Sequence, residues 1–239
     1  MTDISLKDMV VHAVHFGHPT QKWNPKMKPY LYGKRNGIHV FDLHKTAEGR
    51  LRALDFLANA ARANQTILFV GTKPQCRPFL EEIHKTTRMP VVTDKWIAGL
   101  LTNYKTIKKR IDYFKKLKED DKTGGLEKFT KKEQVKLRKK IQTLSMSLSG
   151  VEAMNDLPDV VFVADIVRDN LAVREARRLK IPVVGIVDSN ADPDLVDFVI
   201  PANDDAIKSL EYIFGFVKEA LGSKSPKATT KETTPLAEK

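Results

Sequence analysis

The strongest constraint on the fold is a rhythm of short apolar runs separated by helical patterns. Residues 66–71 (TILFVG), 90–92, 159–164 (DVVFVA), 182–187 (PVVGIV) and 198–200 (FVI) are rich in β-branched side chains and too short for helices. Residues 44–63, 74–86, 170–179 and 204–221 have helical, amphipathic patterns. Runs without a polar face need cover on both sides, and helical crossovers make such strands parallel. Five of them predict an α/β fold with a doubly wound, flavodoxin-like five-stranded parallel sheet.

One stretch breaks the rhythm. Residues 104–150 carry two apolar seams at helical spacing, first Tyr104, Ile107, Ile111, Phe114 and Leu117, then Leu137, Ile141, Leu144 and Leu148. Gly124-Gly125 interrupts them, and Thr130 with Glu133 has the spacing of a capping box. This predicts an inserted antiparallel coiled-coil hairpin, roughly 25 Å long for about 17 residues a side. From Lys105 to Lys140 there are 15 Lys/Arg against 6 Asp/Glu, a net +9 of the chain's +11, which leaves the remainder close to neutral. A merely solvated helix pair would mix signs and pair Glu with Lys at i,i+4. Acids are too few here to pair Lys108, Lys109, Arg110, Lys115, Lys116, Lys136, Arg138, Lys139 and Lys140, so the charge points to a polyanionic partner.

The expected organisation is a first part of the α/β domain over residues 1–103, the basic hairpin over 104–150, the second part over 151–221 and a disordered tail over 222–239. Near the start, residues 4–14 read as a short helix capped by Asp3 or Ser5. Residues 15–30 hold three prolines and are expected to be irregular. There Lys22, Lys26 and Lys28 are interleaved with Trp23 and Tyr30, a mixture suited to phosphate contact plus base stacking. Residues 30–32 and 38–41 predict a β-hairpin whose tip, residues 33–37, carries Lys34 and Arg35. No apolar run approaches the roughly 18 residues of a membrane span, and no signal-peptide pattern precedes residue 7. Cys76 is the single cysteine, so there is no disulfide framework, which fits a reducing, cytoplasmic compartment.

Doubly wound sheets bind nucleotides at the carboxyl ends of their strands. The competing reading is therefore a nucleotide-dependent enzyme with its site at residues 71–73, Asp165 and Asp188. Against it, no two of the 12 glycines are separated by a single residue, and no GxxxxGK followed by Ser or Thr occurs. Gly71 reads as a turn glycine, with Lys73 in reach of a phosphate. Cys76 reads as a small buried hydrophobe rather than a nucleophile. His15, His18, Asp188, Asp204 and Asp205 are able to ligate a metal, but loop histidines and N-cap aspartates have the same pattern. No cofactor is required. A structural divalent metal stays open, with His18, Asp188 and Asp205 as its candidates.

Three stretches resemble the small-subunit ribosomal protein two family in its bacterial or organellar form. His15-Phe16-Gly17-His18, Thr20 and Trp23-Asn24-Pro25-Lys26-Met27 are similar to its N-terminal motif. Trp96-Ile97-Ala98-Gly99-Leu100-Leu101-Thr102-Asn103-Tyr104 resembles its central motif, with Tyr104 where tryptophan is usual and Ala98 where glycine is common. Pro158-Asp159, Glu175-Ala176, Ile181-Pro182 and Asp188-Ser189-Asn190 with Asp192-Pro193 resemble its C-terminal motif. The match runs in order from about Leu6 to Leu221. It implies a flavodoxin-like sheet with a protruding coiled-coil hairpin and a non-enzymatic, rRNA-binding role in the small ribosomal subunit. It also implies a place on the solvent side between head and body, beside the large mRNA-binding protein one. Joined to the charge pattern, it gives Lys22, Trp23, Lys26, Lys28, Lys34, Arg35, Lys73, Asn103, Tyr104, Lys105, Lys108, Lys109, Arg110, Lys136 and Lys139 as expected RNA contacts. Trp96 is expected to pack.

Overall fold

The computed structural model describes residues 5–222. A three-stranded antiparallel sheet near the N-terminus contains β1 (Phe16–Pro19), β2 (Leu31–Arg35) and β3 (Ile38–Phe41), in the order β1-β3-β2. The main sheet contains β4 (Ile67–Val70), β5 (Val91–Val92), β6 (Val160–Val163), β7 (Val183–Val187) and β8 (Phe198–Pro201). All its pairings are parallel, in the order β5-β4-β6-β7-β8. That is the flavodoxin-like order, with its switch point between β4 and β6. The helices are α1 (Leu6–Val11), α2 (Leu43–Arg62), α3 (Arg77–Thr87), α4 (Tyr104–Lys122), α5 (Lys131–Leu148), α6 (Asn170–Arg178) and α7 (Ile207–Gly222).

Strand alternation sends neighbouring residues to opposite faces, so the sheet divides two apolar layers. Ile67, Phe69, Val160, Phe162, Val184 and Ile186 pack with Leu57 of α2, Leu80 of α3 and Phe214 of α7. Leu68, Val70, Val161, Val163, Val183 and Val187 pack with Met27 and Trp96, with Ile107 and Phe114 of α4, and with Val173 of α6. On the first side, Gly49 lets α2 lie against β8, because a Cβ there would stand 2.4 Å from the Val199 carbonyl oxygen. Arg50, 1% exposed, ties α2 to α7. Its Nη1 donates to Tyr212 Oη at 2.8 Å, and its guanidinium lies 4.1 Å from the Phe216 ring centre.

The N-terminal region is more regular than its prolines suggest. Residues 16–19 form β1 at a sheet edge, and Pro25–Tyr30 is a 3-10 helix with Pro25 in its first turn. Proline is harmless at both places, since neither an edge end nor a first turn needs its missing N–H. The hairpin turn is also tighter than expected. Asn36 (φ 51°) and Gly37 (φ 77°) make a two-residue turn with both residues left-handed, which leaves Lys34 and Arg35 inside β2. Ser5 caps α1, accepting from Asp8 N at 3.2 Å. The helix predicted from residue 204 starts at Ile207, because the Asn203 side chain accepts from Asp205 N and Ala206 N in a preceding turn. Gly222 closes α7; the rest of the predicted tail, residues 223–239, lies outside the described residues, as does Asp3.

In the inserted stretch, α4 and α5 run antiparallel. Arg138 Nε donates to Asp121 Oδ1 at 3.0 Å, and Lys140 Nζ to Tyr113 Oη at 3.0 Å. The Thr130–Glu133 capping box forms in both directions. The two seams are unequal, however. Ile107, Ile111, Phe114 and Leu117 of α4 are buried, while on α5 Leu148 is buried and Ile141 and Leu144 are half-buried. Ile107, Ile111 and Phe114 share the core of the sheet. The near half of α4 is thus a body helix rather than one strand of a symmetric coiled coil.

Candidate nucleic-acid interface

The basic residues fall into three environments. In the arm, Lys105, Lys109, Arg110, Lys136 and Lys139 are exposed. Of its 15 Lys/Arg, Lys118 and Arg138 alone form ion pairs among the described residues, with Glu152 and Asp121. No i,i+4 Glu–Lys bridge occurs on either arm helix among those residues, so the charge is directed outward. Lys108 is partly turned in, its Nζ donating to the Asn155 carbonyl at 2.6 Å. Tyr104 is half-buried and donates its hydroxyl to the Met154 carbonyl at 2.8 Å, while Asn103 is exposed just before α4.

The second environment is the N-terminal segment. Lys22, Lys28, Lys34 and Arg35 are exposed without ion pairs among the described residues. Lys26 differs: its ammonium lies 2.8 Å from both Asp192 and Asp194. Trp23 is half-buried, its ring centre 4.8 Å from that of His39. Met27 and Trp96 enter the same apolar layer, so this segment and the arm are rooted on one side of the sheet.

The third is the crevice at the switch point, and here the expected phosphate contact of Lys73 meets a different setting. Lys73 is 12% exposed, and its ammonium stands 2.8, 2.6 and 2.7 Å from Asp165, Asp204 and Asp205. Burial alone would lower its pKa. The Asp204 charge and the hydrogen bonds it donates to the three carboxylates win and raise it. Burial, reinforced by Asp188 and Asp165, pushes Asp204 up to about 8 against the pull of Lys73. Thr72 N and Oγ1 both donate to Asp169, at 3.0 and 2.8 Å. A nucleotide phosphate placed at this crevice would meet carboxylates, each already engaged with the chain.

The metal candidates do converge. His18 Nδ1 lies 3.1 Å from Asp188 and its Nε2 3.4 Å from Asp205. A carboxylate stands beside each ring nitrogen, an arrangement that favours the protonated imidazole. The Asp188 hydrogen bond raises the His18 pKa above its ordinary value, burial opposing it. Among the described residues, no group of three or more His, Cys, Asp or Glu is arranged to hold a metal ion. The same residues fasten β1 to the main sheet: His18 N donates to Ser189 Oγ at 2.8 Å, and a Cβ on Gly17 would lie 2.7 Å from that oxygen.

Cys76 is buried, and desolvation pushes its thiol up to about 12, so it behaves as a hydrophobe. Trp96 packs, 8% exposed, with Nε1 donating to Glu175 Oε1 at 3.1 Å. The reading of individual residues passed over Glu175 itself. In the sequence it stands in the Glu175-Ala176 pair of the C-terminal motif, as an acid among the apolar positions of α6, where Ala172, Val173 and Ala176 are also buried.

Comparison with known proteins follows the same lines. The family model described as Ribosomal protein S2 matches residues 9–223. The small ribosomal subunit protein uS2 of Geotalea uraniireducens is 45% identical over 221 residues, covering 92% of this chain and 86% of its own. The protein of the same name from Maridesulfovibrio salexigens is 42% identical, covering 100% and 94%. That from Nitratiruptor sp. is 44% identical, covering 91% and 82%. With the five-stranded order, the basic arm and matches of this extent, the chain belongs to the ribosomal protein S2 family.

Proposed function

We propose that this chain is a structural, non-enzymatic component of the small ribosomal subunit that grips rRNA with two basic segments. The observation that carries this is the arm, whose cations are almost all unpaired and face outward, rooted beside the N-terminal basic segment. Lys22, Lys28, Lys34, Arg35, Lys105, Lys109, Arg110, Lys136 and Lys139 neutralise phosphates. Trp23 is half-buried and offers its ring for stacking, and Asn103 adds a polar contact. Lys26, Lys73, Lys108 and Tyr104 serve mainly to hold these segments in place. The surroundings are other small-subunit proteins, among them the large mRNA-binding protein one, in the cytoplasm of a bacterial-type cell. Among the described residues no helix is long and apolar enough to cross a membrane. This role requires no cofactor, and Lys73 supplies positive charge to the crevice carboxylates Asp165, Asp204 and Asp205.

The test is fractionation of a lysate on sucrose gradients at low and high salt, following this chain with small-subunit rRNA. Co-migration at low salt with release at high salt is expected. A chain found only at the top of the gradient at both salts overturns the reading. A thermal shift of several degrees with saturating nucleotide would revive the enzyme alternative.

A further inference from the structure

The link between body and arm is residues 96–103, which are neither helix nor strand and turn from residue 98 onward. Backbone N–H groups in such a segment have no ladder to join and need other acceptors when buried. Leu100 N and Asn103 N find carbonyls within the segment, of Ile97 and Gly99, and one side chain serves three others. Glu175, 5% exposed on α6, accepts at Oε1 from Trp96 Nε1 (3.1 Å) and Gly99 N (2.8 Å). Its Oε2 accepts from Leu101 N (3.0 Å), Thr102 N (3.1 Å) and Thr102 Oγ1 (3.1 Å). Five donors converge on one carboxylate, and an ionised carboxylate is the one side-chain group that only accepts. Between its contacts the chain turns at Gly99 (φ +85°), and α4 begins at Tyr104, two residues past Thr102.

Apolar burial holds the arm against the sheet through Ile107, Ile111 and Phe114, but that attraction has no direction. Hydrogen bonds do, and those to Glu175 fix the path of the chain immediately before α4. We propose that Glu175 is a positioning residue that sets the direction in which the arm leaves the body, holding its cations in fixed relation to the N-terminal basic segment. The consequence for a polyanion rests on the function proposed above; the positioning does not.

The experiment separates the two. Spin labels at Lys128→Cys, in the turn between the arm helices, and Arg52→Cys, on the exposed side of α2, report the arm–body distance in the full chain without RNA. Cys76 is buried and stays unlabelled. A narrow distance distribution is expected with Glu175 intact. Glu175→Gln keeps the shape but turns an amide N–H₂ toward donors. It is expected to broaden or shift the distribution by several ångströms, at a temperature where circular dichroism shows unchanged helix content. An unchanged distribution in that folded variant overturns the proposal. If Glu175→Gln does not fold, Trp96→Phe with Thr102→Val removes two of the five donors and leaves the carboxylate. Broadening in this double variant supports the positioning role, and none overturns it. Affinity for small-subunit rRNA is then measured, with about a tenfold loss expected on broadening, as two linked contacts lose their common geometry. A broadened arm with undiminished affinity upholds the role of Glu175 and counts against the two-segment grip.

Discussion

The crevice at the switch point and the arm spend charge in opposite ways. In the crevice, one lysine is nearly buried among three aspartates at hydrogen-bonding distance, and His18 bridges two carboxylates. On the arm, 15 cations share two ion pairs among the described residues. A buried charge must be paired or it opposes the fold, whereas an exposed one is tolerated and available to a partner. Position alone therefore separates lysines that hold this protein together from those it offers outward.

The contrast is broken most directly at Lys73. Lys73→Met leaves Asp165, Asp204 and Asp205 facing one another and is expected to destabilise the chain by about 3–5 kcal/mol in urea unfolding. A loss below about 1 kcal/mol would mean that the crevice charges are not coupled to the fold. The pH profile sharpens the same point. Burial holds the Asp204 pKa above its unfolded value, so this group makes stability fall as pH rises from the unfolded value to the folded one. His18, with its pKa raised, acts in the same sense, stabilising below its unfolded value and losing that contribution as pH rises through the folded one. Stability should fall between pH 5 and 8 in urea unfolding, and Asp204→Asn should flatten the curve. A profile that rises over this range in both proteins would contradict the assignment.

On the arm the pattern inverts. Lys109→Glu with Lys139→Glu should change unfolding free energy by less than about 0.5 kcal/mol per site. RNA binding should nevertheless weaken by roughly tenfold or more, with the salt slope reduced by about 0.7–0.9 per lost phosphate contact. Equal slopes for the two proteins would take these lysines out of the interface. The smallest effect belongs to the capping box: Thr130→Ala should cost about 1 kcal/mol and leave RNA affinity unchanged, as fluorescence titration can check.

Much of this was legible beforehand, and the boundary is physical. The runs around Phe69, Phe162 and Val184 announced the sheet because buried parallel strands have no polar face to disguise them. The arm was visible from Ile107, Ile111 and Phe114 because helical period survives in sequence. Local conformation was harder. Pro19 and Pro25 suggested irregularity, yet each occupies a place where its missing N–H is harmless, and only the pairing of β1 with β3 shows that. Lys73 looked like Lys109 in sequence, since what separates them is three aspartates 92 to 132 residues away in the chain. The role of Glu175 was hidden for the same reason, although the residue itself stands in the C-terminal motif: its partners lie 73 to 79 residues upstream.

The docking of β1 bears on when this protein becomes complete. His18 and Gly17 are set against Asp188 and Ser189, and the hydrogen bond from His18 N to Ser189 Oγ spans 171 positions. A chain emerging from synthesis at about 5–20 residues per second exposes the N-terminal basic segment early, but its anchor arrives about ten to thirty seconds later. The segment made first is thus locked last. A chain stopped before residue 188 would display Lys22, Lys28 and Lys34 without the seat that orients them, so synthesis past Ser189 is a condition for a finished RNA-facing surface.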